Sequence, residues 1–311
     1  MLIDSHVHIF PEIKGYGPRG TVRSGSYGRV VYGDGSVEYV LPVVSERFRY
    51  TAKMMIHNMD RYGVDRSVVL LDPCYGDWSD YVLEAVDRYP GRLQASAYLD
   101  PWSPGSHEYY ESHLDGELWK NVKIEFSEGS GLAGVYPGVR LDSPEMEWFW
   151  NRMEQGRKTL SLDLGIPGSL SYQTEDVRRI ALRHPDLTIV ICHLGQPSYE
   201  AESDSALWGA WISQIELGRL PNVYFDCSAM PFHVQDHEDF PYPRTHDSFR
   251  IATERIGIEK VMWGTDVPWL LGTATYGQLV RHGQLLTWDY TEREKSLFFS
   301  ENALRVYWHE S

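Results

Sequence analysis

The chain has 311 residues, 42% of them hydrophobic, and a formal net charge of −15. That length accommodates one large α/β domain with a sizeable core. Charge of this sign excludes a polyanion-binding surface, so no nucleic-acid partner is expected, and any anion site needs a local Arg or Lys cluster. Cys74, Cys192 and Cys227 are scattered, odd in number and without a CxxC spacing, which reads as reduced core thiols in a cytoplasmic protein. No signal-peptide pattern and no apolar run long enough to span a bilayer is read, so no membrane partner is expected.

The first strand is Leu2–Phe10. Period-two alternation puts Asp4, His6 and His8 on one face and Ile3, Val7 and Ile9 on the other. Two imidazoles on adjacent pleats can grip one metal ion. From His-x-His alone, two hydrogen-bonded structural histidines fit equally well. The Gly-rich stretch Pro11–Arg47 follows, with a hairpin over Arg29–Val40 turning at Asp34-Gly35. It is expected to form a lid or pocket wall.

Further strands are read at Asp65–Leu71, Leu93–Leu99, Asn121–Phe126, Thr159–Leu164, Leu187–Leu194, Val223–Cys227 and Lys260–Thr265. Amphipathic segments alternate with them: Phe48–Tyr62, Tyr81–Tyr89, a weaker one around His107–Leu114, Ser143–Gln155, Thr174–Arg183, Ala206–Leu217 and Phe249–Ile256. Gln278–Leu286 and Arg293–Trp308 close the chain. Eight strand–helix repeats predict a single-domain (β/α)8 TIM barrel over 1–311, with residues 11–47 inserted after strand one. A second long loop, Pro231–Thr245, carries His233 and His237, and His237 is read as solvated.

Chemistry-bearing residues fall at strand ends. His193 lies at the mouth of strand six and Asp266 at the mouth of strand eight. In a barrel, strands one and eight are neighbours, so Asp266 faces His6 and His8. Two imidazoles and a carboxylate make an open catalytic metal site.

Asp4-Ser5-His6-Val7-His8, Cys192-His193-Leu194-Gly195, Gly264-Thr265-Asp266-Val267-Pro268 and Ser300-Glu301-Asn302-Ala303-Leu304-Arg305-Val306-Tyr307 together resemble the amidohydrolase superfamily. The branch is similar to aminocarboxymuconate-semialdehyde decarboxylase-like enzymes and lactonases. The resemblance implies one divalent ion, zinc or manganese, with His6 and His8 as ligands and Asp266 as ligand or proton carrier. It implies that His193 positions or protonates substrate, and that Lys123 matches the strand-four lysine of many members. Lys123 and Glu125 share a face and are read as substrate-binding, with Trp269 as a pocket wall alongside Trp102 and Trp263.

The sequence departs from that pattern at strand five, where Asp163 stands in place of a histidine ligand. Asp163 shares the inward face with Ser161, and a buried carboxylate needs a partner. Three readings stay open: Asp163 is an oxygen ligand favouring a harder ion such as manganese, it pairs with Lys123, or the site has lost tight metal binding.

The expected activity is metal-dependent hydrolysis of a small organic substrate, a lactone or related ester or amide. In this reading Asp266 handles the water's proton and His193 stabilises the oxyanion. The alternatives are non-oxidative decarboxylation of an aromatic or unsaturated acid, and a metal-free ligand-binding barrel. Arg19, Arg23 and Arg244 are candidate carboxylate binders or solvated surface residues. The small-molecule substrate is the main partner, with a homodimer as the assembly the resemblance implies.

Overall fold

The computed structural model describes residues 1–42, 46–116 and 118–310, so residues 43–45 of the expected insertion lie outside the described residues. The described strands form two sheets. β1 (Ile3–Val7) opens the chain. β2 (Lys14–Gly17), β3 (Gly20–Ser24), β4 (Arg29–Tyr32) and β5 (Val37–Tyr39) belong to the insertion. β6 (Arg66–Leu70), β7 (Leu93–Tyr98), β8 (Asn121–Glu125), β9 (Thr159–Asp163), β10 (Thr188–Ile191), β11 (Val223–Asp226) and β12 (Val261–Met262) join β1 in one parallel sheet, in that order. The ring closes where Ser5 N donates to Trp263 O (3.0 Å), Asp266 N to His6 O (2.8 Å) and His8 N to Val267 O (2.7 Å). This is the expected (β/α)8 barrel.

Alternation explains which way each strand faces. On β8 and β9, Val122, Ile124, Leu160 and Leu162 are fully buried in the layer beneath the outer helices. Each such side chain contributes about 1.5–3 kcal/mol by leaving water. The intervening Asn121, Lys123, Glu125, Thr159, Ser161 and Asp163 turn inward. The helices sit where amphipathic periodicity puts them, with Thr174–Arg183 matched to the residue. The first starts later than expected, at Ala52, because Thr51 caps it by accepting from Met54 N, and Gly63 ends it at φ +71°. The weak third segment forms only a short helix, Ser106–Tyr109, continued by a π turn, Tyr110–Leu114. No helix among the described residues is long and apolar enough to cross a membrane.

One expectation fails on β1. The register with β6 shifts between Asp4 and Val7. A bulge of this kind reverses side-chain parity. Ile3, before it, joins the interior cluster of Val68, Leu70, Val190, Met262 and Tyr307. Asp4 therefore does not share the face of His6 and His8. Its carboxylate instead takes Thr265 N (2.9 Å), Thr265 Oγ1 (2.7 Å) and Tyr276 OH (3.0 Å).

The C-terminal segment explains its own motif. Asn302 Nδ2 donates to Ile258 O and Val261 O, both at 2.9 Å, tying the last turn to β12. Tyr307 plugs the barrel bottom, its OH 2.8 Å from Ser161 Oγ, while Asn121 and Thr159 donate to the carbonyls of Tyr307 and Val306.

The insertion is a four-stranded antiparallel sheet, β2-β3-β4-β5. The hairpin expected at Arg29–Val40 is its second half. The first half carries no strand signal, because Lys14-Gly15-Tyr16-Gly17 has no apolar alternation. β2 docks on the loop after β6: Lys14 N donates to Tyr75 O and Tyr16 N to Pro73 O. A Cβ at Gly15 would lie 2.0 Å from Pro73 O, so only glycine permits that approach.

Candidate active site

Two strand ends, those of β1 and β12, deliver His6, His8 and Asp266 to one point. His6 Nδ1 lies 3.1 Å from Asp226 Oδ2, and His8 Nδ1 lies 2.8 Å from Leu70 O. On the opposite side of each ring, His6 Nε2 and His8 Nε2 lie 3.6 and 3.0 Å from Asp266 Oδ1. Both nitrogens of each ring therefore face acceptors, and a neutral imidazole donates through only one. With Nδ1 committed, two lone pairs and a carboxylate oxygen converge without a proton between them, and a divalent cation satisfies all three. His6, His8 and Asp266 form a buried group able to hold an ion. Burial, opposed by Asp226, lowers the His6 pKa to about 4, which keeps the ring neutral and ready to ligate.

Asp266 occupies φ +59°, a conformation disfavoured for a residue with a side chain. The ties from its amide to His6 O and from Thr265 to Asp4 hold the turn. Burial works against its charge, but the His8 hydrogen bond and the neighbouring imidazoles keep its carboxyl below the usual range.

A second group of possible ligands, His6, His193 and Asp226, is closed by its own hydrogen bonds. Asp226 accepts from His6 Nδ1, from His193 N (3.1 Å), and from both the amide (3.1 Å) and the hydroxyl of Ser228. Sequence reasoning misses Asp226. The available signal is its place at the inward-facing end of the apolar run Val223–Cys227.

His193 lies on a left-handed turn. His193, Leu194, Gly195 and Gln196 have φ of 58, 51, 67 and 56°. Each non-glycine residue there costs about 1–2 kcal/mol. Tertiary bonds offset the cost: Trp211 Nε1 donates to Leu194 O and Tyr172 OH to Gly195 O, both at 2.8 Å. The turn aims two side chains at Asp163. His193 Nε2 lies 3.0 Å from Asp163 Oδ2, and Gln196 Nε2 donates to Oδ1 at 2.7 Å. Gly165 N adds a third donor at 2.8 Å.

Asp163 thus meets His193 rather than Lys123. Lys123 Nζ instead faces Glu125 Oε2 (3.6 Å) and Cys192 Sγ (3.8 Å). Among the described residues Asp163 belongs to no group that could hold an ion. His193 Nδ1 lies 2.8 Å from Ser228 Oγ, whose proton goes to Asp226. Both ring nitrogens therefore donate, and the ring is an imidazolium. Burial alone would lower its pKa, but the Asp163 carboxylate prevails and raises it to about 9, while the Asp163 carboxyl is held far below the usual range, chiefly by His193.

The linkage is directional. The raised His193 pKa stabilises the fold fully below its unfolded value of 6.5, and this is lost as pH rises through about 9. The depressed Asp163 contributes above its unfolded value of 3.8 and loses its contribution as pH falls below that. Asp163→Asn is expected to cost about 3 kcal/mol where both charges exist. In urea unfolding the gap from wild type should be widest at about pH 4–6.5 and shrink through about pH 9. A pH-independent gap would contradict the pairing.

These groups open into a cavity of about 510 Å³. Its walls include Ile13, Pro18, Arg19 and Tyr32 from the insertion, and Glu125 and Trp269 from the barrel side. Burial, then the neighbouring Asp163, pushes the Glu125 carboxyl well up, against the pull of Lys123. Trp263 is packed in the core against Phe299, and Trp102 stacks on Phe126. Arg19 lies over the Tyr32 ring and pairs with Glu38 at 2.8 Å. Arg244 pairs with Glu202 and Glu238. His237 is solvent-exposed, stacked on Tyr199. His233, to which the sequence assigns no role, lines the cavity.

A family model described as amidohydrolase matches residues 3–308. A probable 2-pyrone-4,6-dicarboxylic acid hydrolase from Acinetobacter baumannii, solved with citric acid bound, is 17% identical over 98% of both chains, with a TM-score of 0.70. An amidohydrolase from Burkholderia multivorans, solved with zinc bound, is 18% identical over 99% of both chains, with a TM-score of 0.73. 5-Carboxyvanillate decarboxylase from Sphingomonas paucimobilis is 17% identical over 81% of both chains, with a TM-score of 0.56. At these identities the solved structures bear on the fold alone. No curated protein matches the sequence significantly.

Proposed function

The chain belongs to the amidohydrolase family and is an enzyme, and from that premise we propose that it is a metal-assisted hydrolase of a small lactone or related ester or amide. The observation that carries this reading is the convergence of His6 Nε2, His8 Nε2 and Asp266 Oδ1, with each imidazole fixed from behind by Asp226 or Leu70. A divalent ion bound there, zinc or manganese, would supply Lewis acidity that acidifies water and polarises a carbonyl.

The chain's own residues do the rest. Asp266 uses one oxygen toward His8, and among the described residues its other oxygen, Oδ2, makes no hydrogen bond. In this reading that oxygen takes the proton of the attacking water. As the water oxygen bonds to the acyl carbon, the ring C–O bond breaks. The proton passes from Asp266 to the departing alkoxide, giving a hydroxy acid. The fixed His193 cation stabilises negative charge developing on the acyl oxygen. Lys123 and Glu125 line the cavity as polar substrate contacts, and Trp269 forms an apolar wall. Three free cysteines support a reducing, cytoplasmic setting.

The test follows proton release with a pH indicator on a set of δ-lactones, and carbon dioxide release on aromatic acids, before and after chelation. Lactone opening that falls at least about 100-fold with chelator and returns with zinc or manganese supports the reading. Carbon dioxide without lactone opening replaces it with the decarboxylase reading, in line with the activity of the Sphingomonas neighbour. Lactone opening that ignores the chelator removes the metal from the mechanism.

A further inference from the structure

Four imidazoles line the cavity, and three of them face a partner group with both ring nitrogens. His6 and His8 are held between their rear acceptors and Asp266, and His193 between Asp163 and Ser228. His233, on the 3-10 turn Met230–His233 after β11, is different. Among the described residues neither of its ring nitrogens takes a hydrogen bond, and its Nε2 is buried without a partner. Among the described residues its ring contacts are Phe232 at 5.5 Å and His193 at 6.5 Å, centroid to centroid. A buried polar atom left unpaired costs about 1–3 kcal/mol, so a native chain that keeps one in its cavity calls for an explanation.

We propose that His233 is a substrate-binding residue that recognises a hydroxyl group of the substrate. The proposal rests on the lactone reading above and adds to it. A neutral imidazole offers one donor and one acceptor, and a hydroxyl is the small group that answers both. Burial and the His193 cation lower the His233 pKa to about 4, against the pull of Asp163, Asp266 and Glu200, so the neutral form prevails. A substrate carboxylate is a poorer match. It would find one N–H here, and the cations lining the cavity are engaged: Arg19 with Glu38 and Lys123 with Glu125. This sets the site apart from one built for a dicarboxylic acid.

Two measurements test it. The first treats the wild-type enzyme with diethyl pyrocarbonate, which acylates unprotonated, unencumbered imidazole nitrogens, and maps the adducts by peptide mass spectrometry. His233 should be acylated in the folded enzyme while His6, His8 and His193 are spared. An unmodified His233 overturns the proposal. The second compares His233→Ala with wild type on glucono-δ-lactone and on δ-valerolactone, the same ring without hydroxyls. The substitution should raise KM about ten-fold more for the hydroxylated lactone than for the bare one, with the loss greater in KM than in kcat. Equal penalties on both lactones, or none, overturn it. If wild type opens neither lactone, the hydrolase reading has failed on its own account, and the acylation map still decides whether His233 is the free imidazole of the cavity.

Discussion

Replacing Asp266 with Asn should lower kcat at least about a thousand-fold and leave the fold in place. The side chains are isosteric, so the backbone bond from residue 266 to His6 O survives, as does the anchoring of Thr265 on Asp4. The amide that replaces the carboxylate can still donate an N–H to the lone pair of His8 Nε2. What disappears is the charge and, with it, the ability to take a proton from water. The loss should fall on kcat, because proton transfer is made only in the transition state. Circular dichroism and thermal unfolding beside the kinetics separate this from misfolding. A folded variant with wild-type turnover would remove Asp266 from the proton path, and the mechanism would have to pass through a different group.

The second large effect concerns the ion. Protein purified without chelator should carry close to one zinc or manganese per chain by mass spectrometry, and His6→Ala should carry essentially none. A three-donor site reduced to two loses most of its grip. Asp226→Asn supplies the graded case. His6 Nδ1 would lose its carboxylate partner, and with it the fixed ring orientation, for a drop of about 10–100-fold in metal affinity. An unchanged metal content in His6→Ala would place the ion elsewhere. Weakening in Asp226→Asn equal to that in His6→Ala would make Asp226 itself a ligand, through the alternative group with His193.

Much of the fold and of the site is legible in the amino-acid sequence. Period-two alternation turns Lys123, Glu125, Ser161 and Asp163 inward, and the structure agrees because those strands run without a bulge. Strand–helix counting yields the barrel, and the barrel places strand eight beside strand one, bringing Asp266 to His6 and His8 across about 260 positions of chain. Where local pattern fails, a non-local cause has taken over. Asp4 leaves the expected face because of a bulge that no local pattern announces. Asp163 finds His193 and Gln196, 30 and 33 residues on, only because four successive residues adopt left-handed backbone.

The barrel, the inward alternation and the paired histidines follow from spacing along single strands and from the burial that each strand needs alone. Who pairs with whom is settled only in the folded chain: Asp226 behind His6, Asp163 against His193, and His233 left free. The physical reason is that a left-handed turn or a buried carboxylate is unfavourable in its own segment and becomes stable only when groups from other strands complete its hydrogen bonds.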